Sequence, residues 1–314
     1  MYTTATGNAN FERKVVDKLA QSWDRRVAVR QERLDLSQHY DPTIPDFPIA
    51  MIPFWEDAEF VERVNAVGER GKLRFLAATW IAYNERVMYT EDEIVQPLCR
   101  LLLKDRLPGL GDPQLKQILA QAQVDEQFHI LMCVDVCNAA RARHQLYDYV
   151  LPEPLLGRRL KSELGATRDP REQALIRMAY ATVSETTIHA YLKQLSSDLT
   201  IQPLNRIHTD THRRDEAAHS TVFLEIARSV YKALDSDGKA GFREHMATAL
   251  NNSVAIDVTF WSSTLSYLEA RDWSSLIRRI EKASQSKRIG RDYTALVSLL
   301  DELNIKDKIN FTFE

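Results

Sequence analysis

From about Arg70 onward, apolar residues recur every three or four positions, the period of a helix that turns one face inward. This pattern predicts long helices near 70–104, 112–144, 169–198, 201–233 and 239–270, then shorter ones near 273–285 and 290–303. Breaks fall at PGLGDP (Pro108 to Pro113), at LPEPLLG (Leu151 to Gly157) and at Asp235 to Gly238, and Pro203 suits the first turn of a helix. An earlier helix is expected from Phe11 to about Ser22. After it comes YDPTIPDFPIAMIPF, where Pro42, Pro45, Pro48 and Pro53 fix φ and remove donors. This segment reads as extended chain packed down by its apolar residues. Strand alternation and Gly-rich phosphate loops are absent from the sequence pattern. The expectation is an all-α fold in one domain over 1–314: a preamble over 1–60 packed on a bundle, bundle helices over 70–233, and C-terminal helices over 239–314.

The stripes contain residues that do not belong in a core. Trp80, Tyr83, Val87, Glu91, Ile94 or Val95, and Leu98 form one; Leu115, Leu119, Ala122, Glu126, His129, Cys133 and Val136 form the next. Ala174, Met178, Ala181, Glu185, Ile188 and Leu192 form the third; His212, Glu216, His219, Phe223 and Ile226 form the fourth. A carboxylate buried without compensation costs several kcal/mol. The order Glu, Glu-x-x-His, Glu, Glu-x-x-His is the ligand pattern of ferritin-like dinuclear carboxylate sites. Four carboxylates balance two divalent cations, and each ion takes one imidazole. The expected architecture is thus a ferritin-like four-helix bundle with additional helices. Both motifs are DExxH, and a metal-bound His commonly donates its other N–H to a carboxylate. Asp125 is therefore expected to pair with His219, and Asp215 with His129. His212, one turn before Glu216, is free to ligate or to hydrogen-bond. It does not make the HExxH of zinc proteases.

Composition narrows the field. Apolar residues at 44% and charged residues at 27% suit a soluble globular protein. With 41 basic and 44 acidic residues the net charge of −3 draws the chain neither to nucleic acid nor to an anionic membrane. The N-terminus MYTTATGNANFERK has no apolar stretch behind a basic start, and no long apolar run predicts a membrane span. Cys99, Cys133 and Cys137 suit small core residues in a reducing compartment. The cytoplasm is the expected location.

Five segments carry a family resemblance: YDPTIPDFPIAMIPF, WIAYNERVMYTE, VDEQFH, TIQP and HRRDEAAHS. They resemble the p-aminobenzoate N-oxygenase family, diiron N-oxygenases of the aureothin-pathway type, from about Tyr40 to the C-terminal NFTFE. The combination of HxxxDExxH with WIxYNERVxxTE is the specific part. The resemblance implies two iron ions, O2 as co-substrate, an external electron donor and a homodimer. It implies oxidation of an amine to a hydroxylamine, and on to nitroso or nitro, in secondary-metabolite biosynthesis. It also implies seven ligands, which fall on Glu91, Glu126, His129, Glu185, His212, Glu216 and His219, and so makes His212 a ligand. Tyr83 and Arg86 match residues associated with substrate. His189 departs, standing where the p-aminobenzoate enzyme has asparagine, and leaves the amine open between aryl, aliphatic and amino-acid-derived. Competing readings are a dinuclear carbon oxygenase or desaturase, and a ferritin-like iron-binding protein. Carboxylate-rich sites also accept manganese.

Overall fold

The computed structural model describes residues 5–31, 35, 39–268, 272–284 and 291–313. Among these there are helices and no strands. Helices α1 (Ala5–Arg26) and α2 (Ala28–Gln31) come first, then α3 (Ala58–Ala66) and α4 (Gly68–Thr90). A π-helical turn over Glu91–Val95 joins α4 to α5 (Gln96–Leu103). The long helices α6 (Pro113–His144), α8 (Pro170–Ser197) and α9 (Pro203–Ala233) complete the bundle, with α7 (Leu155–Ala166) between α6 and α8. Four elements follow: α10 (Ser236–Ser253), α11 (Val258–Leu265), α12 (Ser274–Ser284) and α13 (Thr294–Glu302).

Local chemistry sets the helix starts. Asp112 Oδ1 accepts from Gln114 N at 2.9 Å, and Asp169 Oδ1 accepts from Arg171 N at 2.9 Å, each with proline at the first helical position. Helix α6 ends where Gln145 adopts a left-handed backbone (φ 54°). The PGLGDP loop docks on α9 through Gly109, whose φ is +103°. A Cβ there would lie 2.5 Å from the Ser229 carbonyl oxygen.

Three expectations need correction. The helix expected over 239–270 is broken: α10 ends at Ser253 and α11 begins at Val258. Asp257 caps the second, accepting from Phe260 N at 3.1 Å, and its other oxygen accepts from Leu155 N at 2.7 Å. Residues 269–270 lie outside the described chain. LPEPLLG does not only end a helix; its Pro154 leads directly into α7, because proline is compatible with a helix start. The helix expected over 70–104 contains the π turn, in which Gln96 N bonds to Glu91 O. The proline-rich segment does run without regular helix apart from Ile49–Met51. Gln202 holds it, with Gln202 N donating to Pro45 O at 2.9 Å, while Phe47, Ile52 and Phe54 are buried.

The interior is divided lengthwise. One apolar cluster holds Ile94, Leu98, Leu119, Ala122, Met178, Ala181, Phe223 and Ile226. The other holds Trp80, Val87, Cys133, Val136, Leu192 and Leu195. Along the chain through Glu91, on α6 and on α8 the acidic and imidazole residues fall between members of these two clusters, and on α9 they precede members of the first. They form a polar belt across the bundle, with apolar packing on both sides.

Candidate metal centre

Each of the seven expected ligands lies in this belt and is buried, none more than 4% exposed. The belt's residues come from the π turn (Glu91), α6 (Glu126, His129), α8 (Glu185) and α9 (His212, Glu216, His219). A π turn at a ligand-bearing position fits the tendency of such turns to mark functional sites.

Glu126 offers one oxygen to each histidine of the two ExxH motifs. Its Oε2 lies 3.1 Å from His129 Nδ1 and its Oε1 lies 3.0 Å from His219 Nδ1. Glu216 Oε1 lies 3.1 Å from His212 Nε2, 3.3 Å from His219 Nδ1 and 3.5 Å from His129 Nδ1. Glu91 flanks one side, its Oε1 3.2 Å from His212 Nε2 and 3.8 Å from His129 Nδ1. Glu185 flanks the other, its Oε2 3.9 Å from His219 Nδ1. Two groupings with metal-binding spacing result: Glu91, His129, His212 and Glu216, and Glu126, His129, Glu216 and His219. Glu185 stands just outside the second.

The outer ring nitrogens face the aspartates crosswise. His219 Nε2 lies 3.3 Å from Asp125 Oδ2, and His129 Nε2 lies 3.4 Å from Asp215 Oδ2. With cations in the belt, the proton on each ring would sit on Nε2, facing its aspartate, and each Nδ1 lone pair would face an ion.

The belt is electrostatically unbalanced as a set of side chains alone. One oxygen each of Glu91, Glu185 and Glu216 (Oε2 in all three) is buried and has no hydrogen-bond partner among the described residues. Burial pushes the Glu91 carboxyl up to about 7. Burial, then the charges of Glu216 and Glu126, pushes Glu185 well above the carboxylate range. Burial opposes a charged His129, yet its bonds to Asp215 and Glu126 lift it to about 10. Buried carboxylates with oxygens that lack donors, set within about 4 Å of imidazole nitrogens, are a donor set suited to divalent cations. The residues fit two divalent ions.

Several contributors lie outside the sequence expectation. The indole of Trp23 on α1 donates to both oxygens of Asp125 at 3.0 Å. The Ala28 and Val29 amides donate to Asp215 at 2.8 and 3.1 Å. His208, one turn before His212, is buried and donates from Nε2 to Asn84 Oδ1 at 2.9 Å. Cys133 Sγ lies 3.9 Å from the same nitrogen. The i, i+4 spacing of His208 and His212 is the signal that could have revealed it.

The three substrate candidates belong to neither metal grouping. Tyr83 is buried, stacked on Tyr191 (5.5 Å between centroids), and its hydroxyl has no hydrogen-bond partner among the described residues. Arg86 sits over the Phe260 ring at 5.1 Å. His189 is half-buried; its pKa is lowered by burial and then by Arg213 and Lys193, and it belongs to neither metal grouping. The three cysteines are buried free thiols. Among the described residues no helix is long and apolar enough to cross a membrane.

A helical bundle crossed by four glutamates and two mirrored ExxH motifs defines a ferritin-like protein of the dinuclear carboxylate class. Comparison narrows this further: the family described as p-aminobenzoate N-oxygenase AurF matches over residues 9–304, and the chain belongs to it. The match begins well before Tyr40 and takes in most of α1. The chain is 29% identical over 299 residues to the 4-aminobenzoate N-oxygenase of Streptomyces thioluteus, covering 94% of this chain and 88% of that protein. The chain is an N-oxygenase by family.

Proposed function

We propose that this chain is a diiron N-oxygenase that oxidises the amino group of a small aromatic amine with O2 to the hydroxylamine, and onward to nitroso or nitro. The observation that carries this reading is Glu126, which presents one oxygen to His129 and the other to His219 inside a belt of orphaned carboxylate oxygens. Glu91, His129 and His212 would hold one ion, Glu185 and His219 the other, with Glu126 and Glu216 spanning both. Bound iron would supply O2 activation, fed by an external electron donor.

The chain's own residues do the rest. The two apolar clusters keep bulk water from the belt. Asp125 and Asp215 hold the imidazole orientations. Tyr83 and Tyr191 offer an aromatic wall beside the belt, since Glu91 and Glu216 are among the charges that act on the Tyr83 hydroxyl. Arg86 lies close enough to Arg291 for its charge to add to burial in lowering the Arg291 pKa. Arg291 donates to Thr187 Oγ1 at 3.0 Å and to Ser253 O at 3.1 Å, and its Nε has no partner among the described residues. Two neighbouring cations beside an aromatic wall suit an arylamine that carries a carboxylate. The Streptomyces thioluteus relative is named for such a molecule, 4-aminobenzoate. His189, one turn beyond Glu185, is assigned as a further polar contact that selects among amines.

The proposal includes a cytoplasmic homodimer. Val124, Phe128, Leu131 and Val134 are exposed along one face of α6, bordered by the uncharged Gln96, Gln123 and Gln127. A neutral apolar stripe is suited to meeting its own copy.

The test is a screen of amines against the reduced, iron-loaded protein with products read by mass. Oxygen gained on the nitrogen of a carboxylated arylamine is expected. Oxygen delivered to carbon, with no amine nitrogen oxidised, overturns the reading.

A further inference from the structure

The two aspartates behind the belt are held in different ways. Asp215 receives two backbone amides, Ala28 N and Val29 N. Asp125 receives a side chain, the Trp23 indole, whose single N–H lies 3.0 Å from each carboxylate oxygen. Both aspartates are fully buried. Arg26, three residues after Trp23, feels the charge of both and supplies balancing positive charge. Its buried nitrogens make no hydrogen bond among the described residues. Orientation of Asp125 therefore rests on Trp23, while Arg26 contributes charge without direction. Beyond Asp125 the chain of contacts continues to His219 Nε2 at 3.3 Å, and His219 Nδ1 faces Glu126, Glu216 and Glu185.

We propose that Trp23 is a positioning residue for one half of the centre: by fixing Asp125 it sets the His219 imidazole and the ion that His219 and Glu185 would hold. The other half, reached through Asp215 and His129, is independent of it because backbone amides do the same work there. The N-terminal helix is then part of the metal site, and the two metal positions differ in how their outer support is built. This inference rests on the proposed dinuclear centre.

The test is calorimetric titration of the full-length, metal-free protein with Mn2+. Outer partners of a ligating histidine are worth about 10- to 100-fold in metal affinity. The parent is expected to bind two ions. Trp23→Phe should weaken one of the two binding steps by about tenfold or more and leave the other unchanged. Asp125→Asn removes the charge and one of the two acceptor oxygens of the same link without touching α1, and it should weaken the same step. The double variant should bind no worse than Asp125→Asn alone, because both changes cut one chain of contacts. Failure of the parent to bind two ions counts against the dinuclear reading itself. With two ions bound by the parent, three results overturn the role of Trp23: no change in Trp23→Phe, equal weakening of both steps, or multiplying effects in the double variant. Should Trp23→Phe not fold, the indole N–H resonance of the parent, followed by NMR through a Zn2+ titration, replaces it. The resonance must shift with one loading step only, and a shift with neither or with both overturns the proposal.

Discussion

Asp125 and His219 meet across the bundle, Oδ2 to Nε2 at 3.3 Å, so the acid of one DExxH motif supports the histidine of the other. The reciprocal pair, Asp215 and His129, meets at 3.4 Å. Each motif thus contributes to both halves of the belt. Loss of either motif is expected to disable the whole centre rather than half of it.

His212 is where the N-oxygenase reading departs most from that of a wider dinuclear carboxylate protein. Its Nε2 lies between Glu91 and Glu216, at 3.2 and 3.1 Å. His212→Ala should lower affinity for one ion by more than about tenfold while the second ion still binds. Metal analysis after dialysis against a fixed free-metal concentration reads this directly. Two tightly held ions in the variant would remove His212 from the ligand set.

Arg86→Ala tests the anionic end of the proposed substrate. A hydrogen bond to a charged group contributes about 1.5–3 kcal/mol. KM for a carboxylated arylamine should rise by roughly 10- to 100-fold, with kcat changed less. KM for the uncharged parent arylamine should hardly move. Equal losses for both amines would make Arg86 structural, through its packing on Phe260.

His208 gives a pH signature away from catalysis. Burial, with lesser help from His212 and His129, holds its pKa well below 6.5. An unfolded chain takes up a proton near pH 6.5 that the folded chain refuses, so the His208 contribution to stability falls as pH drops below that value. In the metal-loaded protein, the stability advantage of the parent over His208→Gln should shrink between about pH 7 and pH 5. Urea unfolding across that range measures it, and a constant difference would mean that His208 is not held neutral.

Leu131→Glu tests the α6 stripe. Leu131 is 55% exposed, so the substitution leaves the fold intact, and it should convert a dimer to a monomer in sedimentation analysis. A monomeric parent would dismiss the dimer; a dimeric variant would move the interface elsewhere.

Periodicity alone exposed most of the bundle. The inward stripes located α6, α8 and α9 within a residue or two, because burial on one face leaves a 3.6-residue trace. It also brought the seven belt residues together on paper, since carboxylates inside apolar stripes are conspicuous. What it missed was non-local. The donors to Asp215 are backbone amides, and every residue has one, so nothing in Ala28 or Val29 advertises the role. Trp23 reads as an ordinary helix residue until α1 is seen against α6. Arg291 follows a stretch, 285–290, outside the described residues, and its half-buried setting depends on Thr187 and Ser253. The break before α11 depends on Asp257, which doubles as an acceptor for a chain segment 102 positions away.

The polar belt makes the bundle two oil drops separated by a sheet of charge. Without cations that sheet is spanned by contacts between imidazoles and carboxylates. With cations it becomes a weld joining all four helices. Acquiring metal would then be the closing step of folding, and the same ions that equip the protein for oxidation would decide whether its two halves melt together or apart.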